Sequence, residues 1–255
     1  MTMALPLRAG ASGARTGQVA EAPVPITTNR LTLLWDSAIG KKVVMAVTGV
    51  VLVAFVITHM LGNLKIFAGP DEIDAYSRFL RTLGEPELGY GDALWVVRIV
   101  LLTCVTLHIT AAYQLTRMNW KARPVGYETK KEVETSFAAL TMRWGGVLLA
   151  IFIVLHIMHF TLGAVGFKPG QFKDLHVYEN VVAGFSVWPL AVFYIVAMGA
   201  LCLHLDHGIW SMLQTLGWST ARNTRTLKVL SRVVAIIVFA GFASVPVAVM
   251  TGLVH

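Results

Sequence analysis

Five long apolar runs constrain the fold of this chain more than any other feature of its sequence. Each is roughly 20 residues long, which is the length of helix that crosses a hydrocarbon core about 30 Å thick. The chain is 56% hydrophobic and 14% charged, whereas a soluble domain carries about 25% charged residues. The sequence therefore predicts an all-α integral membrane protein, a bundle of five transmembrane helices, with spans at Val43–Leu64, Ala93–Leu115, Phe137–Leu162, Val187–Trp210 and Val229–Leu253.

The segments outside the runs predict one membrane domain with a tail. Residues 1–33 are rich in Gly, Ala, Pro and Thr without apolar periodicity, which predicts a mobile cytoplasmic tail, and residues 34–255 form the membrane domain. Apolar residues recur at helical spacing over Asp71–Leu83, which predicts a short amphipathic helix in the outer interface. The loop Gly163–Gly184 has no strong pattern.

Charge predicts the orientation. Most of the 21 Lys and Arg residues stand before the first run, between the second and third, or around the start of the fifth, on one side of the membrane. The positive-inside rule then places the N-terminus in the cytoplasm and the C-terminus outside. The net charge of +7 is thus explained by the orientation of the chain in the membrane. We expect lipid to surround the helices, and no feature of the sequence indicates a nucleic-acid partner. Cys104 and Cys202 fall inside runs and are expected to be packing residues.

Six of the eight histidines fall within the predicted spans: His59, His108, His156, His159, His204 and His207. Ionisable side chains inside a membrane are costly and usually functional, and a neutral imidazole is the commonest metal ligand. The alternative for any single one is a histidine bonded to a backbone carbonyl or a neighbouring hydroxyl in the bundle.

Depth sorts four of these histidines into two pairs. At 1.5 Å per residue, His59 and His156 lie roughly 24 to 28 Å from the cytoplasmic side, and His108 and His204 roughly 10 Å. Each pair comes from two different helices, and the two levels are about 15 Å apart. This arrangement suits two stacked planar cofactors with two axial ligands each, as in bis-histidine haem b. We therefore predict an outer haem on His59 and His156 and an inner haem on His108 and His204.

Small residues near these histidines are expected to make room for haem. Gly49 and Gly146 stand ten residues before His59 and His156, so they lie about 15 Å deeper, at the inner level. The other two glycines with this expected role are Gly145, beside Gly146, and Gly208, one turn below His204. Helix–helix packing through small residues is the alternative, and the two roles are compatible.

Four further residues are candidate partners of haem propionates: Arg98, Arg143, His159 and His207. The arginines are near the outer and inner levels respectively, and their alternative role is that of snorkelling surface charges. The two histidines each follow a predicted ligand by three residues. For them the alternatives are a quinone pocket or interfacial water, of which the sequence favours water.

The same residues carry a resemblance to a known family. The run TGVVLVAFVITHMLGNLKIFAGPDEIDAYSRFLR, the later TLHITAAYQLTRMN and TMRWGGVLLAIFIVLHIMHF helices, and HLDHGIWSMLQTLGW resemble the two-haem cytochrome b558-type membrane anchor of succinate dehydrogenases and related fumarate reductases. The resemblance covers the chain from about Leu34 to its end. Its most specific parts are the glycine ten residues before a histidine, twice, and the histidine four residues before Gly-aliphatic-Trp.

This resemblance implies a function. The four paired histidines match the family's haem ligands, first span with third and second with fourth. Such an anchor is a subunit of succinate:quinone oxidoreductase and is not catalytic alone. It binds a flavoprotein subunit, which oxidises succinate at FAD, and an iron-sulfur subunit on the cytoplasmic side of a bacterial plasma membrane. Electrons then pass through two b haems to a quinone, usually menaquinone. A higher oligomer is compatible with this expectation.

Two loops are the expected docking surface for the iron-sulfur subunit: Met118–Ser136 and Ser211–Arg232, with Gln214 and Trp218. One position departs from the pattern, because some relatives have a glutamate two residues before the ligand of the fourth span and this chain has Cys202. A proton path through that carboxylate is therefore not implied here.

Other functions remain as alternatives. A di-haem b-type anchor of a fumarate reductase, hydrogenase or formate dehydrogenase would use the same ligands. A quinol–cytochrome c type cytochrome b would place two histidines about four turns apart on one helix, and no run has such a pair. A haem-free transporter would have helices broken at mid-membrane, and Pro246 is the one proline in the middle of a run.

Overall fold

The computed structural model describes residue 32 and residues 35–122 and 137–255, with the backbone alone over 137–140. Within these ranges the regular structure is helical and includes no strand. The predicted tail, 1–33, lies outside the described residues apart from Thr32, as does most of the predicted docking loop Met118–Ser136.

Seven α-helices follow one another in the described part: α1 Ala38–Asn63, α2 Pro70–Thr82, α3 Asp92–Lys121, α4 Phe137–His156, α5 Val177–Phe185, α6 Trp188–Thr215 and α7 Thr224–Met250. A 3-10 turn, Leu64–Ala68, extends α1, and a π turn, Ile157–Thr161, extends α4. Among the described residues, five helices are long and apolar enough to cross a membrane, namely α1, α3, α4, α6 and α7. The prediction of five spanning helices is confirmed.

Local sequence explains where several helices begin. The Ser37 side chain accepts a hydrogen bond of 2.8 Å from the backbone N–H of Gly40 and caps α1, because the first N–H groups of a helix have no partner within it. Pro70 starts α2, with Asp71 and Glu72 in its first turn, where negative charge is favourable. This helix corresponds to the predicted amphipathic helix Asp71–Leu83, whose existence is therefore confirmed.

Four spanning helices form a row that folds around a common interior. Helix α1 packs on α6, α3 packs on the other side of α1, and α4 packs on the other side of α6. Helix α7 covers α6 and α1 from outside. In the described part, α3 and α4 do not pack along each other, although the Arg143 guanidinium lies over the Trp120 ring, 6.0 Å from its centroid, at one end. The bundle is therefore open between α3 and α4.

A cap of short helices and loops closes the end opposite to Arg143. The carboxylate of Asp74 accepts a hydrogen bond of 3.1 Å from the backbone N–H of Tyr178, which joins α2 to α5. Arg81 pairs with Asp174 at 3.0 Å. Lys173 lies 2.7 Å from Glu179, and this hydrogen bond, followed by the charge of the ammonium, holds the pKa of the Glu179 carboxyl below its usual value.

Helix α5 departs from the sequence-based expectation of a patternless loop at Gly163–Gly184. It is nine residues long, too short to be stable from local propensity alone. Its buried residues Val181 and Phe185 join a core with Ile66 and Ile73. Tertiary packing therefore stabilises this helix, and the sequence pattern does not reveal it.

Candidate functional site

His59 and His156 meet inside the bundle. Their ring centroids are 5.8 Å apart, with an angle of 79° between the ring planes. His59 lies on α1, stacked against Phe55 at 5.2 Å, and His156 ends α4, stacked against Phe152 at 5.7 Å. Helices α1 and α4 are not neighbours in the row, so this pair faces across the interior of the bundle.

His108 and His204 form a second pair in the same way. Their ring centroids are 6.3 Å apart and their planes are inclined by 56°. His108 lies on α3 and His204 on α6, which are also separated by one helix in the row. The structure thus brings the four histidines together two by two across the diagonals of the bundle, in the combinations that the depth argument expects.

The spacing within each pair suits two imidazoles that share one metal ion. Two rings that bind one ion from opposite sides have centroids about 6 Å apart, because a metal–imidazole bond is about 2 Å long and the nitrogen lies about 1 Å from its ring centre. Each pair offers two nitrogen ligands. That number is what a six-coordinate haem takes from a protein, since the porphyrin supplies the other four. The donor set therefore fits a bis-histidine haem at each level.

Thr48 orients one ring of the second pair. The Thr48 hydroxyl donates to the carbonyl of Val44, 2.7 Å away, and therefore accepts the hydrogen bond from Nδ1 of His108 at 3.1 Å. A metal-binding histidine usually donates its other ring N–H to a polar partner of this kind. With Nδ1 engaged by Thr48, Nε2 of His108 is the nitrogen left for a ligand.

Tyr194 has the corresponding role beside the first pair. Its hydroxyl, on α6, lies 3.4 Å from Nδ1 of His156, which leaves Nε2 of His156 for a ligand. In the second pair, Nδ1 of His204 is buried and has no hydrogen-bond partner among the described residues. A buried polar atom without a partner costs free energy, so this nitrogen is available to a bound group.

Glycines make space beside the His108–His204 pair. A Cβ atom built on Gly49 would lie 3.9 Å from Cε1 of His108, and one on Gly146 would lie 3.9 Å from Cε1 of His204. Both contacts are ordinary, so alanine fits at each position and a larger side chain would press on the rings. The two glycines lie at the level that the helical rise predicts, ten residues below His59 and His156.

The remaining two glycines border the same region. A Cβ atom on Gly145 would lie 4.0 Å from the carbonyl oxygen of Ala200, and one on Gly208 would lie 4.0 Å from Cδ2 of His204. An apolar cavity of about 220 Å³ between α4 and α6 reaches both Gly145 and His204. A cavity therefore adjoins His204 on the side of α4.

His159 lies in a different environment from the expected one. Sequence reasoning favoured contact with interfacial water, but the side chain is completely buried and its Nδ1 lies 3.0 Å from the Tyr194 hydroxyl. The expectation of water contact is wrong, because the loop at Gly166 and the helix α5 at Gly184 close over the ring, where a Cβ atom on either glycine would lie 2.7 Å from Nε2 of His159.

The other candidate propionate partners are at or near the surface. Arg98 is exposed, with its guanidinium over the Trp95 ring at 5.0 Å from the centroid, and Arg143 is exposed beside Trp120. His207 is half-buried, 6.1 Å from the Trp210 ring centroid. A role toward propionates stays a prediction for these three residues and for His159.

Sequence reasoning missed Thr48 and Tyr194. Tyr194 had a signal, because it stands ten residues before His204, the same offset that relates Gly49 to His59. That offset places Tyr194 at the level of the His59–His156 pair. Thr48 directly precedes Gly49 and so lies at the level of His108. In both cases the helical rise predicts the depth, whereas the contact also depends on the rotation of the helix about its axis.

Comparisons of the chain with models of known protein families, with curated proteins and with solved structures find no match.

Proposed function

We propose that this chain is the two-haem membrane anchor and electron-transfer subunit of a succinate dehydrogenase complex, succinate:quinone oxidoreductase. One observation carries the proposal: four histidines from four spanning helices meet as two cross-bundle pairs, with ring centroids 5.8 and 6.3 Å apart. The sequence resemblance names the same four residues and the same pairing. The chain needs its partner subunits for activity.

The chain's own residues hold and orient the redox centres. His59 and His156 bind the outer haem, and His108 and His204 bind the inner one. The hydroxyl oxygens of Thr48 and Tyr194 accept hydrogen bonds from the Nδ1–H groups of His108 and His156, which would leave the Nε2 atoms of these rings to bind the metal. When bound, haem iron supplies a one-electron redox couple whose potential depends on its axial ligands and burial.

Charge supports the orientation and the partner side. Described basic residues gather where α1 and α7 begin and α3 ends: Lys41, Lys42, Arg117, Lys121, Arg225 and Lys228. The positive-inside rule makes this the cytoplasmic end, next to the His108–His204 pair. A flavoprotein subunit with FAD and an iron-sulfur subunit dock there in the proposal, at the Ser211–Arg232 segment and the loop after Met118. Membrane lipid surrounds the helices.

The electron acceptor in this proposal is a membrane quinone, with menaquinone the expected type, in a bacterial plasma membrane. The alternative is a di-haem b-type anchor of another respiratory oxidoreductase, of the fumarate reductase, hydrogenase or formate dehydrogenase type. All of these anchors bind haem through paired histidines, so they are distinguished by the substrate that donates the electrons.

The first experiment is a pyridine haemochrome assay with a redox-titrated α-band spectrum. It uses the purified chain with its co-purifying partners and adds succinate as reductant. Two b haems per chain that succinate reduces are the expected result. Two haems that succinate leaves oxidised, in a preparation that retains both partner subunits, would favour the alternative oxidoreductases. A chain without haem would contradict both.

Single histidine variants test the assignment of ligands. We expect His59→Ala and His156→Ala to lose the outer haem, and His108→Ala and His204→Ala to lose the inner one. His207→Ala serves as the matched control, because it removes an imidazole from the same helix as His204 and retains both haems. The pairing is wrong if His59→Ala and His108→Ala lose the same redox component.

A further inference from the structure

Tyr194 places one hydroxyl between two histidines at the end of α4. The oxygen lies 3.0 Å from Nδ1 of His159 and 3.4 Å from Nδ1 of His156. Tyr194 is 6% exposed, so water does not compete for these contacts. A tyrosine hydroxyl has one proton to donate and lone pairs to accept with. The Tyr194 hydroxyl can therefore accept a hydrogen bond from one of the two histidines and donate one to the other.

Metal binding at His156 decides the direction of these two hydrogen bonds. If Nε2 of His156 binds iron, as in the proposed function, its proton resides on Nδ1 and is donated to the Tyr194 oxygen. The Tyr194 proton then has Nδ1 of His159 as its acceptor. An imidazole that accepts at Nδ1 and is neutral carries its own proton on Nε2. The order of donation is therefore His156 to Tyr194 to His159.

Tight packing holds His159 at the end of this chain of hydrogen bonds. The ring is fully buried and stacks on Phe160 with centroids 4.0 Å apart. A Cβ atom on Gly166 or on Gly184 would lie 2.7 Å from Nε2 of His159, so the backbone of the outer cap closes directly on the ring at both glycines. Nε2 has no hydrogen-bond partner among the described residues, and the Phe185 ring faces the imidazole at an angle of 82°.

The burial of His159 in this packing destabilises the folded protein. A buried histidine with one unpaired nitrogen is unfavourable, and an apolar residue of similar size would remove the cost. In this position, His159 accepts the hydrogen bond that the Tyr194 hydroxyl donates. The lone pairs of the Tyr194 oxygen then remain to accept the hydrogen bond from His156.

We infer that Tyr194 and His159 are positioning residues for the outer redox centre, which together fix the orientation of the His156 ring and make it a stronger electron donor to its metal. The inference rests on the proposed function, because it requires a haem on His156. A hydrogen bond donated from Nδ1 raises the basicity of the ligating nitrogen. A more basic ligand favours the oxidised iron, so the relay lowers the midpoint potential of the outer haem.

The central test compares Tyr194→Phe with Tyr113→Phe in the full chain with its partner subunits. Both variants remove one hydroxyl from a spanning helix, but Tyr113 is an exposed residue of α3. We expect Tyr194→Phe to retain both haems, to raise the midpoint potential of the outer haem, and to leave that of the inner haem unchanged. Tyr113→Phe should change neither potential. An unchanged outer potential in Tyr194→Phe with both haems bound overturns the inference.

A second pair of variants tests the role of His159 through Tyr194. Asn places a side-chain oxygen close to the position of Nδ1, whereas Leu offers no acceptor. His159→Leu should therefore raise the outer potential and alter the low-spin electron paramagnetic resonance signal of the outer haem. His159→Asn should restore both toward the values of the unaltered chain. Equal effects of Leu and Asn would show that His159 acts by packing alone, and would overturn its place in the relay.

The tautomer of His159 gives a readout that does not need a variant to fold. In ¹⁵N spectra of the histidine-labelled, haem-loaded chain, we expect His159 to carry its proton on Nε2 and to accept at Nδ1. A proton on Nδ1 overturns the inference whatever the variants do. Failure of the proposed function looks different, because the unaltered chain would then contain no haem with His156 as a ligand.

Discussion

Thr48 and Tyr194 each direct a hydroxyl at a histidine of another helix. Thr48 lies 3.1 Å from Nδ1 of His108 and Tyr194 lies 3.4 Å from Nδ1 of His156. Each cross-bundle pair thus contains one histidine whose Nδ1 is hydrogen-bonded to a hydroxyl group of the protein. That contact engages Nδ1 of the ring and leaves its Nε2 as the nitrogen that would bind a metal in the proposed function.

Thr48→Val tests this role at the inner pair. Valine keeps the shape of the side chain and removes the acceptor of His108 Nδ1, so we expect the midpoint potential of the inner haem to rise while the outer one is unchanged. The shift measures how much stronger this hydrogen bond is in the oxidised than in the reduced state, and a difference of about 1 kcal/mol corresponds to roughly 40 mV for one electron. Redox titration of the α-band measures the shift. Thr48→Ser is the control, since it retains the hydroxyl; a shift of the same size in both variants would contradict the assignment.

Gly146→Leu tests whether the glycines leave space for the inner haem. A Cβ atom at Gly146 meets His204 at 3.9 Å, so further carbons extend into the region beside the ring. We expect Gly146→Leu to lose the inner haem and retain the outer one, and Gly146→Ala to retain both, as measured by haem content per chain. Gly199→Leu is the matched control, because a Cβ atom there meets no described atom within 4 Å. Two haems in Gly146→Leu would refute the space-making role.

The depth of these residues could be predicted from the sequence, whereas their contacts could not. The rise of an α-helix is nearly constant, so counting residues places Gly49 and Gly146 at the level of His108 and His204. Counting does not reveal which way a residue faces after two helices have packed. Tyr194 has the right depth by the same count, but its contact with His156 depends on the rotation of α6 relative to α4.

At the scale of helices, α6 and α7 form the most extensive contact of the bundle. Small side chains let their backbones approach closely, as is common between helices in membranes. Ser231 and Ala235 of α7 are completely buried. Toward one end, Arg232 lies 3.6 Å from the carboxylate of Asp206. This interface supports the helix that carries both His204 and Tyr194.

Ala235→Leu should therefore destabilise the bundle. Ala235 is fully buried in the α6–α7 core, and extra carbon atoms in a packed interior cost about 1 to 3 kcal/mol. We expect a lower midpoint of thermal unfolding, followed by circular dichroism in detergent. Ala240→Leu makes the same change on an exposed position of α7. It should change the free energy of unfolding by no more than about 0.5 kcal/mol and so leave the midpoint close to that of the unaltered chain. Equal midpoints for the two variants would disagree with the packing described.

The elements that sequence reasoning predicts are those set by local chemistry. An apolar run of about 20 residues has few alternatives to a spanning helix, and Gly69-Pro70 followed by acidic residues starts α2 as helix capping predicts. Helix α5 and the π turn Ile157–Thr161 arise differently. Both lie beside the aromatic core at Phe160 and Phe185, and they depend on contacts between segments far apart in the chain.

At the scale of the whole molecule, the spanning helices alternate in direction, so their basic ends gather on one side. We expect the C-terminus to be outside the cytoplasm and the loop before α7 to be inside. Alkaline phosphatase fused after His255 should be active, since the enzyme matures only outside the cytoplasm, and a fusion at Arg222 should be inactive. The reverse pattern would invert the orientation and separate the inner haem from the cytoplasmic partners.

The open side of the bundle has a consequence for how much folded protein a cell contains. Among the described residues, helices α3 and α4 each pack on one spanning neighbour and not along each other, so a planar molecule bound within a histidine pair would connect helices that do not pack on each other. Any ligand that binds only the native state stabilises it by mass action, by about 2.7 kcal/mol at one hundred times its dissociation constant. If that ligand is haem, as proposed, the abundance of the folded protein would follow the supply of haem, and starvation for iron would deplete the protein itself as well as its activity.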